Sequence, residues 1–271
     1  MYSCDMPEQV GIRMPRYAAE LSYNGGLYAG WQVQPNRLSV QEAVENVLSM
    51  LNKQPVSVKG AGRTDSGVHA RAQVCSFDML NEWDEHRLLM ALNANLPQGI
   101  SAMRLTKTRS DFHPRYDALK REYVYFIWTG MTIYPHISPF THWVRGGHYD
   151  WDLAAEACRF IEGEHDFTNF CRPTNVPDDP VRTMYKVKLN RRGPLLWLRI
   201  VGSGFLTNMV RIIMGDLELV AKGRREPEWI KSLFEPGSEK SKTGRTFPPN
   251  GLFLWRIEYG EHLWNSHNRV L

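Results

Sequence analysis

The sequence predicts an α+β protein whose two similar halves, each with helices and strands, enclose a shared cleft. Alternation of apolar and polar residues, the pattern of strands, and apolar residues at helical spacing both occur in each half. The second half repeats the element order of the first, although no repeat is visible residue by residue. A chain of 271 residues is long enough to give such halves a hydrophobic core.

The N-terminal half contains the most regular patterns. Residues 17–23 alternate as a strand, after a tail of residues 1–15 that shows no periodicity. The capping box Ser39-Val40-Gln41-Glu42 predicts a helix, because the apolar residues that follow it fall on one helical face. Residues 56–58 are predicted to form a short strand before a glycine-rich loop, and residues 73–77 the strand after it.

The rest of the chain alternates in the same way. Helices are predicted to begin near Asp84, near residue 151, at Ser203 and after Pro227. Strands are predicted at residues 100–105, 121–128, 184–189, 195–201 and 252–259, with an irregular connector at 129–150 and a mobile segment at 237–245.

These patterns divide the chain into five parts. They are a flexible tail (1–15), an N-terminal half with the glycine-rich loop (16–112), a connecting strand and linker (113–150), a C-terminal half that completes the cleft (151–260) and a C-terminal tail (261–271).

Composition permits a nucleic-acid partner without requiring one. The net charge is +4, and the chain has 9 Trp, 11 Tyr and 11 Phe. Clustered Lys and Arg beside aromatic residues suit phosphates and base faces, but a packed core with a solvated surface has a similar composition. Basic residues cluster at Arg104, Lys107 and Arg109; at Arg115, Lys120 and Arg121; at Arg191 and Arg192; and at Lys222, Arg224 and Arg225.

The cysteines and histidines show no metal-binding or redox spacing. None of Cys4, Cys75, Cys158 and Cys171 forms a CxxC pair, and Cys75 and Cys158 are predicted to be buried. His136, His142 and His148 are predicted to be loop residues. Since the sequence also shows no membrane-spanning stretch or signal peptide, we expect a cytoplasmic protein without metal.

The glycine-rich loop carries one carboxylate that is placed for chemistry. Gly60-Ala61-Gly62-Arg63-Thr64-Asp65-Ser66-Gly67 lacks both the third glycine of a dinucleotide fingerprint and the Gly-Lys-Ser/Thr ending of a P-loop. The loop is thus not a nucleotide-binding loop of either kind. What remains is a single carboxylate, Asp65, which we expect to be exposed beside a strand, two residues after Arg63. A turn-capping Asp65 paired with Arg63 is an equally acceptable interpretation of the spacing.

Further motifs follow one another in order along residues 16–260. They are Tyr28-Ala29-Gly30-Trp31-Gln32, Ser39-Val40-Gln41-Glu42, the stretch from Ala61 to Val74, Asn93-Ala94-Asn95-Leu96-Pro97, Asp111-Phe112-His113-Pro114-Arg115, Lys120-Arg121-Glu122-Tyr123-Val124-Tyr125, His165-Asp166-Phe167-Thr168-Asn169-Phe170, Phe205-Leu206-Thr207-Asn208-Met209-Val210-Arg211 and Gly251-Leu252-Phe253-Leu254. Together these motifs resemble those of the TruA family of tRNA pseudouridine synthases. The departures from the family pattern are Ser203-Gly204 and Asn208, which are expected to lie outside the chemistry, and residues 171–183 match nothing specific.

The resemblance implies the pseudouridine synthase fold, with a mixed or antiparallel sheet around a basic cleft, and a homodimer. It implies conversion of uridine to pseudouridine in the anticodon stem-loop of tRNA (positions 38, 39 and 40), without cofactor or metal. Asp65 would be the nucleophile and Arg211 the cation that keeps it ionised. Arg63 would hold the flipped nucleotide, Tyr123 would stack on the uracil and Leu252 would exclude water.

Two other classes of protein compete with this interpretation. A non-catalytic RNA-binding module would explain the basic clusters and the aromatic residues, but not the carboxylate on the loop. A glycosidase also acts on a glycosidic bond, but it needs two carboxyl groups, and the loop supplies only Asp65.

Overall fold

A computed structural model describes residues 14–235, 244–260, 263 and 264, and one ten-stranded sheet forms its centre. The strands are β1 (Arg16–Tyr23), β2 (Lys59–Gly60), β3 (His69–Asp78), β4 (Ile100–Thr108), β5 (Lys120–Trp128), β6 (His142–Trp143), β7 (Gly163–Asp166), β8 (Val181–Arg192), β9 (Leu195–Gly202) and β10 (Leu252–Glu258). The helices are α1 (Val40–Asn52), α2 (Glu85–Asn95), α3 (Trp151–Ala157), α4 (Met209–Ala221) and α5 (Trp229–Ser232).

The order of strands in the sheet shows that the two halves are built in a similar way. The sheet runs β4-β1-β3-β10-β5-β9-β8-β7, while β2 pairs with β3 and β6 with β5. In the first half β1 lies between β4 and β3. The strand β5, which the sequence assigned to the connecting segment 113–150, takes the same place in the second half, between β10 and β9, and both strands have antiparallel neighbours. The α+β fold of two similar halves is therefore confirmed as one continuous mixed sheet.

The two halves meet where β3 and β10 pair in parallel, with Phe253 beside His69 and Leu254 beside Ala70. Parallel neighbours begin at the same edge of a sheet, so the loops that precede them lie side by side. The contact is close: a Cβ atom on Gly67 would come within 2.7 Å of Cγ of Pro249. This seam brings the glycine-rich loop of the first half against the second half.

Local capping explains the first two helices. The Ser39 side chain accepts a hydrogen bond from the backbone N–H of Glu42, and the Asp84 side chain accepts one from Arg87. The predicted starts of α1 and α2 are confirmed. Apolar side chains on the inner face of α1 are buried against the sheet: Val40, Ala43, Val44, Val47 and Leu48.

Three of the sequence predictions give the wrong position or type for a segment. Residues 56–58 are not a strand; Val58 donates its N–H to Glu45 of α1, and the strand β2 follows at residues 59–60. The connector 129–150 contains β6, so His142 belongs to a strand and not to a loop. The fourth helix begins at Met209 instead of Ser203, because residues 203–208 form a loop that ends in a left-handed Asn208 (φ 64°).

Cys75 and Cys158 are buried as predicted, and burial raises the pKa of each thiol to about 12. None of the helices in the described residues combines the length and the apolar character needed to cross a bilayer. Most of the predicted tails, 1–15 and 261–271, and most of the segment 237–245 lie outside the described residues.

Candidate active site

Buried polar contacts hold the loop that carries Asp65 in place. Thr64 is buried, and its hydroxyl lies 2.8 Å from the Tyr23 hydroxyl. The backbone carbonyl of Thr64 accepts a hydrogen bond from the Trp31 N–H at 3.1 Å, and that of Asp65 accepts one from Val68 at 3.0 Å. The loop backbone is thereby held in place, and 32% of the Asp65 side chain remains exposed.

Arg211 supplies the positive charge beside Asp65. It lies in the first turn of α4, and its Nη1 donates to Oδ2 of Asp65 at 2.9 Å. The same Nη1 donates to Oδ1 of Asn208 at 2.8 Å, while Nε donates to the Phe247 carbonyl at 2.6 Å. The alternative pairing of Asp65 with Arg63 is wrong, because Arg63 is exposed and forms no ion pair with any described residue.

Tyr123 and Leu252 form apolar parts of the wall of the cleft. Tyr123 lies on β5 with its ring edge-on to Phe205 at 4.9 Å between centroids, and Leu252 is buried at the start of β10. Burial raises the pKa of Tyr123 to about 12; the charge of Arg121 lowers it, and that of Asp65 raises it. The Tyr123 hydroxyl is therefore protonated at neutral pH, and it lies within electrostatic range of Asp65.

A basic cleft of about 1270 Å³ contains all five predicted site residues and draws its walls from both halves. Asp65 is the only carboxylate among the described residues that line it. The lining also includes seven basic residues: Lys59, Arg63, Arg115, Arg121, Arg172, Arg182 and Arg211. Asp65 offsets the charge of only one of these seven residues. The cleft therefore keeps a net positive charge and attracts anionic ligands strongly.

Asn208 and Phe247 are contacts of the site that sequence reasoning missed. Asn208 was expected to lie outside the chemistry, but its side chain binds the guanidinium that contacts Asp65. The only sequence signal was the position of Asn208, three residues before Arg211 and at the start of a helix. Phe247 acts through its backbone carbonyl, a contact that no side-chain pattern could have indicated.

Within the described residues, no group of three or more His, Cys, Asp or Glu side chains is arranged to hold a metal ion. The charged and aromatic groups that line the cleft among the described residues are one carboxylate, several guanidinium groups, the Lys59 ammonium and aromatic rings. This set can add a nucleophile to an electrophilic carbon and can hold a phosphate chain and a stacked base.

Comparison with known proteins assigns the chain to a family. The family model described as tRNA pseudouridine synthase matches residues 19–117 and 157–260. The chain belongs to this family. Proteins named tRNA pseudouridine synthase A are similar to it almost end to end. The one from Anoxybacillus flavithermus is 39% identical over 250 residues, covering 91% of this chain and 99% of the relative. Those from Bacillus subtilis and Rhizobium meliloti are 38% and 36% identical, covering 90% and 91% of this chain and 99% and 100% of the relative.

As a tRNA pseudouridine synthase, the chain is an isomerase that modifies tRNA. Among solved structures, that of an archaeal box H/ACA sRNP Nop10–Cbf5 complex is similar with a TM-score of 0.32 and 11% identity. That match covers 80% of this chain and 46% of the other.

Proposed function

We propose that this synthase converts uridine to pseudouridine in the anticodon stem-loop of tRNA, with Asp65 as the nucleophile. The observation that carries the proposal is the position of Asp65. It is the only carboxylate among the described residues of a basic cleft, and it lies 2.9 Å from a guanidinium that two further acceptors hold in place.

The reaction is an isomerisation that balances without a second substrate. The bond between N1 of uracil and C1′ of the ribose breaks, the base turns, and a bond forms between C5 and C1′. A proton leaves C5, and N1 gains one. The Asp65 carboxylate can add to C6 of the base or to C1′ of the sugar, and both routes require it to be ionised. Arg211 places a positive charge 2.9 Å from this carboxylate.

The cleft accepts a nucleotide that has left its helix. Turning a base out of its stack costs a few kcal/mol, and stacking on an aromatic ring returns about 1–3 kcal/mol per base. Tyr123 offers such a ring close to Asp65, and buried Leu252 keeps water from that side. Arg63 is exposed at the edge of the loop, where it can hold the phosphate chain of the flipped nucleotide.

Membership of the synthase family argues against the alternative of a non-catalytic RNA-binding module. The resemblance also leads us to propose a homodimer and a cytoplasmic location. Sedimentation of the purified protein tests the first, and cell fractionation tests the second.

The deciding experiment compares the wild-type chain with Asp65→Asn on unmodified tRNA, mapping pseudouridine by position. The variant should form no pseudouridine and should bind tRNA about as tightly as the wild type, because it loses only the nucleophile. Asp152→Asn is the matched control, since Asp152 is exposed on α3 outside the cleft and should retain full activity. Pseudouridine formation by Asp65→Asn would refute the nucleophile, and modification outside the anticodon stem-loop would refute the substrate site.

A further inference from the structure

Three arginines of the cleft lie close together, and the only carboxylate paired with them among the described residues is the exposed Asp179, 3.7 Å from Arg182. Arg115 precedes β5, Arg121 lies on β5 and Arg182 lies on β8. Among the described residues, the guanidinium of Arg121 donates only to backbone carbonyls: Nη1 to Ser203 at 2.9 Å, and Nη2 to Ala61 at 3.3 Å and to Arg115 at 2.6 Å. Arg121 forms no ion pair with any described residue, so its charge remains uncompensated.

The charges of the three arginines act on one another. Burial lowers the pKa of Arg121, and the charges of Arg115 and Arg182 lower it further, although the hydroxyls of Tyr123 and Tyr259 oppose this effect. Like charges that converge in a partly buried place destabilise the folded chain unless an anion joins them. Such an arrangement is therefore more typical of a binding site than of a structural contact.

The two outer arginines keep donors available for a ligand. The Arg115 side chain is exposed and contacts the ring of Tyr116, with no ion pair to any described residue. Nη1 of Arg182 donates to the carbonyls of Asp179 and Val181, at 3.0 and 2.5 Å. The Asp179 carboxylate lies 3.7 Å away and is 80% exposed, so solvent screens most of its attraction.

We propose that Arg115, Arg121 and Arg182 form a phosphate-binding subsite that holds the RNA backbone next to the flipped nucleotide. This proposal rests on the proposed function. Arg121 and Tyr123 alternate with Glu122 on β5 and thus point to the same face, and Arg121 also binds Ala61 at the base of the Asp65 loop. The subsite therefore lies beside the reacting base. A guanidinium matches a phosphate because its planar donors can form two parallel hydrogen bonds.

The first test measures how salt affects tRNA binding. Arg182→Ala and Arg115→Ala should each weaken binding of unmodified tRNA about tenfold and raise KM. Each should also reduce the slope of log K against log salt concentration by about 0.7–0.9, the value for one lost phosphate contact. Arg121 itself is left unchanged in this test, because its three carbonyl contacts hold the surrounding loops together.

Arg191→Ala is the matched control, because Arg191 is exposed at the opposite end of the same strand, β8, outside the cleft. It should bind tRNA with the affinity and salt slope of the wild type. Equal losses in Arg191→Ala and Arg182→Ala would show a diffuse effect of charge and would overturn the proposal. Wild-type affinity and salt slope in both cleft variants would overturn it as well.

The second test removes a charge from the RNA. A single neutral methylphosphonate is placed in turn at each phosphate next to the target uridine of a stem-loop. At one position it should weaken binding to the wild type by as much as Arg182→Ala does, and it should cause no further loss in that variant. If no position shows this coupling, the subsite is refuted. Failure of the wild type to modify the stem-loop would instead refute the proposed function, so the two failures are distinguishable.

Discussion

Nη1 of Arg211 donates a hydrogen bond to Oδ2 of Asp65 at 2.9 Å, which joins two residues that are 146 positions apart. Only 13% of the arginine side chain is exposed, compared with 32% of the aspartate side chain. Since Asn208 and the Phe247 carbonyl also accept hydrogen bonds from this guanidinium, it cannot turn without breaking several contacts. The positive charge therefore stays beside the carboxylate before any substrate arrives.

Arg211→Lys should reduce kcat about a hundredfold, although it keeps the charge. A lysine ammonium cannot satisfy acceptors on three sides with the geometry of a planar fork, and a displacement of about 1 Å at a reacting group can cost that much. Loss of the Phe247 contact should lower the free energy of unfolding by about 1–2 kcal/mol. Single-turnover kinetics and urea unfolding measure the two effects, with Arg191→Lys as control. Wild-type kcat in Arg211→Lys would show that charge alone suffices.

Asn208→Gly should lower kcat about tenfold while it leaves stability and tRNA affinity nearly unchanged. Glycine adopts the left-handed conformation of residue 208 without strain, so this variant removes the side chain alone. Asn208→Ala loses the same side chain but should also be destabilised by about 1 kcal/mol, because alanine is strained there. The comparison separates backbone from side chain. If Asn208→Gly keeps the wild-type kcat, Arg211 is oriented without help from Asn208.

Helices and strands whose ends are set by residues close by in the sequence could be predicted from the sequence. The starts of α1 and α2 depend on caps within three residues of each helix end, and their predictions were accurate. The start of α4 depends on Asn208, whose side chain binds Arg211 instead of a backbone N–H, and it was predicted six residues too early. The alternation at residues 56–58 reflects burial of Val56 and Val58 beneath α1, not strand pairing.

The residues of the candidate site also divide into those that the sequence indicated and those that only the fold brings together. Spacing alone indicated an exposed carboxylate at Asp65 but left its partner open, and only the resemblance indicated Arg211. No rule of spacing connects residues 146 positions apart; the parallel seam between β3 and β10 brings them together. Arg115 and Arg121 already belong to one basic cluster in the sequence, but their convergence with Arg182 was hidden, because Arg182 lies on a different strand, β8.

Gly30→Ala should displace the Asp65 loop. Gly30 has a φ of 100°, and a Cβ atom there would come within 2.7 Å of the Thr64 carbonyl oxygen and 3.1 Å of the Asp65 carbonyl carbon. These are backbone atoms, so relief requires the loop itself to move. We expect a loss of at least tenfold in kcat and a lower melting temperature. Gly260→Ala is the control, because a Cβ atom added there meets no non-neighbouring atom of the described residues within 4 Å. Equal melting temperatures for both variants would contradict this reasoning.

Asp216 should make the stability of the fold depend on pH. This carboxyl is buried on α4; Oδ1 accepts a hydrogen bond from the Gly244 N–H, and the buried Oδ2 has no partner among the described residues. Burial raises its pKa from 3.8 to about 7. The folded chain therefore binds more protons than the unfolded chain between these two values. The free energy of unfolding should fall as pH rises through this window, by up to about 4 kcal/mol in total, and stay level above pH 7.

Asp216→Asn tests this pH dependence, because an amide keeps an acceptor for the Gly244 N–H but carries no charge at any pH. The variant should be more stable than the wild type at pH 8, and the difference should shrink at pH 5, where the folded wild type already holds its proton. Urea unfolding at both pH values gives the comparison, with exposed Asp152→Asn as control. A difference between Asp216→Asn and the wild type that is the same at pH 5 and pH 8 would mean that Asp216 does not titrate across this range.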